Sequence, residues 1–318
     1  MNILGTGSAL PAYTLTNARL TEFLDTSDEW IRSRTGISTR QVITNESLLE
    51  LGKAAGERAL ENAGLTAADI DFLICTTVRG DTVTPSMGCV LQGALGTGCP
   101  ALDLNGACAG FIYALDMADA YIKAGKAEKV LIISAEGMTR LVDWTDRSTC
   151  VLFGDGAGAA VVGAGEGKFF SRLTSDGNAE PLNIQPDPGN SPFVQEKIPA
   201  RRLYMDGQEI YKFAVSHSTA DLRQVAEAAG LGMDEINHFL LHQANKRIVD
   251  AVRSRLKQPE EKFPTNVSCR GNTSSASLPI LLDEENRAGR FRKGDVLALS
   301  AFGAGLTTGA CIIEWTRS

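Results

Sequence analysis

Asn105-Gly106-Ala107-Cys108-Ala109-Gly110 and Gly271-Asn272-Thr273-Ser274-Ser275-Ala276-Ser277 are two runs of small residues, each just ahead of a helical pattern. They belong to a chain that repeats itself. Glu61-Asn62-Ala63-Gly64-Leu65 aligns with Glu227-Ala228-Ala229-Gly230-Leu231. The register continues without a gap, 69–74 over 235–240 and 130–135 over 296–301. The first of these blocks reads as a helix, a glycine stop, a short loop and a buried strand. Ala124-Gly125-Lys126 matches Ala288-Gly289-Arg290 after a two-residue shift, and in that register Cys108 falls on Asn272 and Asp119 on Asp283. A repeat this long predicts two similar α/β halves rather than a solenoid. We place them at 1–165, with the cysteine, and 166–318, with the histidine and asparagine of interest below.

The elements follow from periodicity. Residues 18–34 are expected as a helix followed by a loop. Further helices are expected at 46–64, 85–95, 108–124, 208–229, 245–257 and 275–288. Strands are expected at 71–78, 129–135, 159–163, 296–300 and 309–315, several with the continuous apolar run of a strand buried on both faces. The stretch 164–207 carries Pro181, Pro186, Pro188, Pro192 and Pro199. It reads as the join between the halves plus a long loop with short strands, of the kind that forms a lid or pocket wall. Alternating strands and helices give sheets covered on both faces.

Composition narrows the function. The chain has 318 residues, 43% hydrophobic and 22% charged, an ordinary globular balance. No apolar run reaches membrane-spanning length, and Met1–Gly7 lacks the basic start of a secretory signal. The net charge of −7 offers no general attraction to nucleic acid. Seven cysteines, an odd number with no C-x-x-C spacing, argue for a reducing, cytoplasmic setting and against zinc or a disulfide framework. Gly5-Thr6-Gly7 lacks the third glycine of a dinucleotide loop, and Gly154-Asp155-Gly156-Ala157-Gly158 precedes a strand instead of a helix. Both are expected as tight turns.

Cys108 stands out because its neighbours are all small, which lets a substrate and the backbone N–H groups approach the sulfur. A cysteine at a helix N-terminus feels the positive end of the dipole, which favours thiolate. Only three histidines exist. His217 falls in a polar stretch of a long helix and His238 opens a strand. His242 ends that strand, where open α/β sheets bind ligands. Cys108, His242 and Asn272 are therefore the candidates for nucleophilic chemistry.

These residues, in Asn105–Gly110, His242-Gln243-Ala244-Asn245, Gly271-Asn272-Thr273-Ser274 and Phe302-Gly303-Ala304-Gly305, resemble the β-ketoacyl-acyl-carrier-protein synthase III family of the thiolase superfamily. Thr26–Ile31, Arg34–Ile37 and Asp146-Arg147 ahead of Phe153–Gly156 extend the resemblance over essentially the whole chain. Thiolases use a second cysteine and elongating ketoacyl synthases a second histidine, so Asn272 points to the initiating class.

The resemblance implies a layered α-β-α-β-α fold and a homodimer. It implies acyl-CoA and malonyl-acyl carrier protein as substrates, with no metal or redox cofactor. Cys108 would carry the acyl group, with the backbone N–H groups of Cys108 and Ala304 as oxyanion hole. His242 and Asn272 would stabilise the enolate left by decarboxylation. Trp30 would stack on adenine, with Arg34 and Arg147 at the nucleotide end, Asn245 on the pantetheine arm and Phe302 beside the substrate. Lys246, Arg247, Arg253, Arg255 and Lys257 make the helix after His242 basic, and Lys246, Arg247, Arg253 and Lys257 suit an acidic carrier protein. Three positions depart from many relatives. Ala304 replaces glycine, Thr308 replaces tryptophan, and Thr84 stands where an aromatic from a neighbouring subunit closes the acyl pocket, which suggests room for primers larger than acetyl. An acyltransferase of natural-product synthesis and a non-catalytic partner subunit are the readings from other classes.

Overall fold

A computed structural model describes residues 1–185, 192–193 and 202–317. The chain runs β1 (Asn2–Ala9), β2 (Tyr13–Thr16), α1 (Asn17–Leu20), α2 (Asp28–Thr35), β3 (Thr39–Val42), α3 (Leu48–Ala63), β4 (Phe72–Thr76), α4 (Met87–Leu95), β5 (Ala101–Leu104), α5 (Gly110–Lys123), β6 (Lys129–Gly137) and β7 (Asp155–Gly163). It continues with β8 (Phe169–Asn178), β9 (Leu182–Asn183), β10 (Tyr204–Met205), α6 (Gly207–Ala228), β11 (His238–Leu241), α7 (Lys246–Leu256), α8 (Val267–Arg270), α9 (Ser277–Arg287), β12 (Val296–Gly303) and β13 (Gly305–Glu314).

Two sheets carry the duplication. One has the order β1-β7-β6-β4-β5 and the other β8-β13-β12-β11. Their parallel strands are apolar on both faces, and alternate residues serve different cores. Phe72, Ile74, Val130 and Ile132 join Leu240, Leu297 and Leu299 in a central core with α5 and α9. Leu73, Cys75, Leu131 and Ile133 face the other way, onto α3 and α4. Phe239, Leu241, Ala298 and Phe302 face α6 and α7. Five layers result, α-β-α-β-α. The two helices that open beside the catalytic motifs lie in the middle layer, so the two halves share one core.

Several expectations need correction. Residues 18–34 form two short helices, because Thr16 and Ser27 each cap one through a side-chain oxygen. Gly5 and Gly7 lie inside β1, not in a turn. A Cβ on Gly7 would sit 2.2 Å from the carbonyl oxygen of Ala55 and one on Gly5 2.4 Å from that of Ala59, so these glycines let α3 lie against the strand. Gly156 and Gly158 are likewise within β7, and Gly158 lies against Pro279 and Ile280 of α9. The stretch after residue 164 contains a ten-residue edge strand, β8, paired antiparallel with β13. Apart from Phe170 its exposed side chains are polar, so its sequence lacks a long apolar run. Pro186, Pro188 and Pro199 lie outside the described residues, whereas Leu182, Ile184, Leu203 and Met205 of the same stretch line the cavity described below, as the expected pocket wall.

Candidate active site

Cys108 and Asn272 reach the site on matching turns. Gly106 and Thr273 have similar backbone angles, and each precedes a residue with positive φ, Ala107 at 46° and Ser274 at 51°. Each turn is closed by an asparagine. Asn105 Oδ1 accepts the N–H of Ala107 at 3.1 Å, and Asn272 Oδ1 accepts that of Ser274 at 2.9 Å. The structural counterpart of Cys108 is therefore Ser275, and that of Asn272 is Asn105. The sequence register that set Cys108 on Asn272 is corrected by three residues.

Asn272 is also held by its own backbone. Its N–H donates to Leu152 O at 2.8 Å, and its carbonyl accepts from Gly154 N at 3.0 Å. Because its side-chain oxygen is taken by Ser274 N–H, its amide NH₂ is left as the donor. His242 follows β11, and its N–H donates to Ser300 O at 2.8 Å. Its Nδ1 lies 2.6 Å from Ser277 Oγ, and that oxygen also accepts Gln243 N–H at 3.3 Å. When the Ser277 hydroxyl donates to Nδ1, Nε2 is the protonated nitrogen. Burial lowers the His242 pKa to about 3, so the ring is neutral.

Cys108, His242, Asn272, Phe302 and Ala304 line one cavity of about 1020 Å³. The Phe302 ring meets His242 edge-on with centroids 5.3 Å apart. Backbone near Gly303 packs directly over Cys108, and a Cβ on Gly303 would lie 2.6 Å from Cys108 N. Thr307 Oγ1 ties the two loops together, 3.2 Å from Gly106 O and 3.0 Å from Ala304 O. Burial pushes the Cys108 thiol up to about 12, with the Ser274 hydroxyl 3.5 Å from Sγ pulling it down and the charge of Glu136 adding to the rise. Burial therefore opposes the pull towards thiolate expected from its place ahead of α5.

Trp30, Arg34, Asn245 and Arg247 line the outer part of the same cavity. The guanidinium carbons of Arg34 and Arg147 each lie 5.2 Å from the Trp30 ring centroid. Arg147 also donates to Asp25 O and pairs with Asp25 Oδ2 at 3.3 Å. Asn245 caps α7 by accepting Arg247 N–H at 2.9 Å, and its Nδ2 donates to Arg34 O at 3.2 Å. Thr84 is not brought to the site. It lies on an exposed loop and does not line the cavity. The four basic positions of α7 also differ from one another. Lys246 pairs with Asp250 at 2.9 Å, Arg253 is half-buried, and Lys257 lies past the helix end with φ 55°. Arg247 is exposed, 5.6 Å from the Tyr211 ring.

Comparison with known proteins agrees with this geometry. Family profiles described as 3-oxoacyl-[acyl-carrier-protein] synthase III and its C-terminal part match residues 102–177 and 226–315. A β-ketoacyl-[acyl-carrier-protein] synthase III of Xanthomonas campestris pv. campestris is 43% identical over 317 residues, 98% of either chain. That of Clostridium acetobutylicum is 38% identical over 322 residues, covering 100% of this chain and 99% of its own. The chain belongs to the β-ketoacyl-acyl-carrier-protein synthase III family. The crystal structure of the 3-oxoacyl-[acyl-carrier-protein] synthase III of Aquifex aeolicus VF5 superposes with a TM-score of 0.92 at 41% identity, over 99% of both chains. The enzyme is thus a condensing acyltransferase of the thiolase superfamily that initiates fatty acid synthesis. Among the described residues no cluster of ligands could hold a metal ion, and no helix is long and apolar enough to cross a membrane.

Sequence reasoning missed Ser277, which orients His242, and Glu136, the buried carboxylate behind Ser274. Ser277 stood inside the quoted serine-rich motif. Glu136 had a weaker signal, an acid ending an apolar strand.

Proposed function

We propose that Cys108, His242 and Asn272 carry the condensation in two half-reactions. The sulfur of Cys108 attacks the thioester carbonyl of an acyl-CoA. The backbone N–H groups of Cys108 and Ala304 hold the oxyanion, each worth about 3 kcal/mol of barrier, and CoA leaves. Malonyl-acyl carrier protein then enters and loses CO₂. The enolate charge forms on its thioester oxygen, where His242 Nε2–H and the Asn272 amide both donate. The enolate carbon attacks the Cys108 acyl group, the bond from that carbon to the Cys108 sulfur breaks, and a β-ketoacyl thioester is released with the Cys108 thiolate, which takes a proton from water. The carrying observation is that the thiol and both side-chain donors line one cavity, each donor fixed in orientation by its other hydrogen bond.

Trp30, Arg34 and Arg147 would take the nucleotide end of CoA. A planar ring with two guanidinium groups close by suits a purine and its phosphates. Asn245 would meet the pantetheine arm. Arg247, exposed at the cavity wall, is the basic residue best placed for an acidic carrier protein. Thr84 would reach an acyl group only where a second copy of the chain supplies it, as a homodimer would. The two halves, 1–165 and 166–318, would contribute the nucleophile and the two donors respectively. Intact mass spectrometry of wild type and Cys108→Ala after acetyl-CoA, then malonyl-acyl carrier protein, tests the scheme. Acylation of wild type alone, cleared by the second substrate with release of acetoacetyl-acyl carrier protein, is expected. An acyl group that persists through the chase overturns the condensing role.

A further inference from the structure

The Cys108 proton needs a destination, and His242 does not provide one. Its Nδ1 is engaged by Ser277, and in the tautomer that the proposed enolate step requires its Nε2 already carries a proton. Behind the thiol lies a different route. Cys108 Sγ is 3.5 Å from Ser274 Oγ, and Ser274 Oγ donates to Glu136 Oε1 at 3.0 Å. Ser274 and Glu136 are 0% and 1% exposed. The positive φ of Ser274 and the bond from its N–H to Asn272 hold its hydroxyl between sulfur and carboxylate. A non-glycine residue in this strained region is itself a sign of constraint at a working site.

Glu136 has unusual surroundings for a buried acid. Its carboxylate accepts from Val78 N at 3.0 Å, Ser275 Oγ at 2.7 Å and Ser275 N at 3.3 Å, besides Ser274. These are all neutral donors, and no cation pairs with it among the described residues. The titratable groups that face it are Cys75 from β4 and Cys108 from the turn before α5. Burial raises the Glu136 carboxyl to about 7, so it can exchange a proton near neutrality. A purely structural site would be better served by an uncharged side chain.

We propose that Ser274 and Glu136 form a proton path that takes the Cys108 proton as the sulfur attacks acyl-CoA and returns it to the departing CoA. The inference rests on the reading of Cys108 as the nucleophile. In the forward step the S–H proton passes to Ser274 Oγ while the Ser274 proton passes to Glu136 Oε1. The bond from Cys108 sulfur to the acyl carbon forms, and the bond from that carbon to CoA sulfur breaks. Ser274 lines the cavity, so the reverse shift through it gives CoA its proton and restores the Glu136 carboxylate. Transfer and attack occur together, and no free thiolate accumulates. Glu136 is a positioning residue here, acting on the sulfur through Ser274.

Single-turnover acylation by acetyl-CoA, followed by intact mass across pH, tests the path in wild type, Glu136→Gln and Ser274→Ala. Wild-type loading should rise with pH through about 7, where Glu136 loses its proton. Both variants should lose this limb and load about 100-fold more slowly, with a much smaller loss in the condensation of enzyme once loaded. The opposite result has a clear meaning. If Glu136 acts only by its charge or by packing, Glu136→Gln removes an anion near the sulfur, lowers the thiol pKa and speeds loading. Faster loading, an unchanged pH limb or equal losses in both half-reactions overturns the path while leaving Cys108 as nucleophile. Ser274→Ala leaves Glu136 its other donors and keeps the test open if Glu136→Gln does not fold. Failure of wild type to acylate at all would remove the nucleophile reading and the path with it.

Discussion

Ser277 Oγ lies 2.6 Å from His242 Nδ1, where a donated hydroxyl proton keeps the ring proton on Nε2. The proposed enolate step needs Nε2–H, so Ser277 should act on decarboxylation and not on acyl loading. Ser277→Ala removes the hydroxyl and leaves the ring free to choose either tautomer. A lost hydrogen bond of this kind is worth about 1–2 kcal/mol, or roughly 5–30-fold in rate. Condensation by preloaded enzyme should fall by that factor, with loading by acetyl-CoA nearly unchanged. Equal losses in the two half-reactions would show that Ser277 supports the site as a whole.

The neutral state of His242 also has a thermodynamic signature. Its folded pKa of about 3 lies below the ordinary 6.5, so the unfolded chain binds the extra proton between these values. Its contribution is fully present above pH 6.5 and is lost as pH falls towards 3. Glu136 acts in the opposite sense. Its pKa is raised from 4.5 to about 7, so its contribution is full below 4.5 and is lost as pH rises to 7. Between 4.5 and 6.5 the two offset each other. In His242→Gln the Glu136 dependence is no longer opposed by His242, and the variant should gain stability relative to wild type on acidification from pH 6.5 to 4.5. Urea unfolding at both pH values measures this, and parallel pH dependences in the two proteins would refute it.

Thr308 stands where many relatives carry tryptophan, and a polar cluster occupies the place. Thr308 Oγ1 donates to Asp221 Oδ2 at 2.6 Å and contacts Thr174 Oγ1 at 2.5 Å, while Arg172 reaches the other Asp221 oxygen at 3.2 Å. Thr308 and Asp221 are both buried, on the face of the second sheet that meets α6. Thr308→Val keeps the shape and deprives a buried carboxylate of one donor. Stability should fall by about 1–3 kcal/mol, read as a lower Tm, with acyl loading unaffected. An unchanged Tm would mean that Arg172 satisfies Asp221 without it.

The duplication was legible because both halves end their helices at a glycine and enter a buried strand with the same residues. Cys108, His242 and Asn272 were legible for a related reason. Each lies at the end of a strand or the start of a helix, where backbone groups converge on a ligand. The register error has a simple physical source. Helix α5 has 14 residues and α9 has 11, so matching their C-terminal ends at Gly125 and Gly289 displaces their N-terminal ends by three. The glycines of β1 and β7 misled because a close helix–strand contact and a turn both demand glycine, and only the packing tells them apart. The burial that raises the Cys108 pKa was not legible either, since it depends on the second half of the chain folding over the first.

The carrier-protein surface gives the last prediction. Of the basic residues on α7, Lys246 is neutralised by Asp250 and Arg253 is half-buried, whereas Arg247 is exposed at the cavity wall. A single charge at the rim of an interface acts mainly on encounter and is screened by salt. Arg247→Glu reverses that charge where an acidic partner would approach. KM for malonyl-acyl carrier protein should rise about tenfold, equivalent to ~1.4 kcal/mol, and the difference from wild type should shrink at high ionic strength. Acyl-CoA loading should change far less, because the nucleotide end of CoA is assigned to Arg34 and Arg147. Steady-state kinetics of the two substrates at low and high salt separate the cases. An equal rise in KM for acyl-CoA and for the carrier protein would place Arg247 on the CoA path and leave the carrier protein to dock elsewhere.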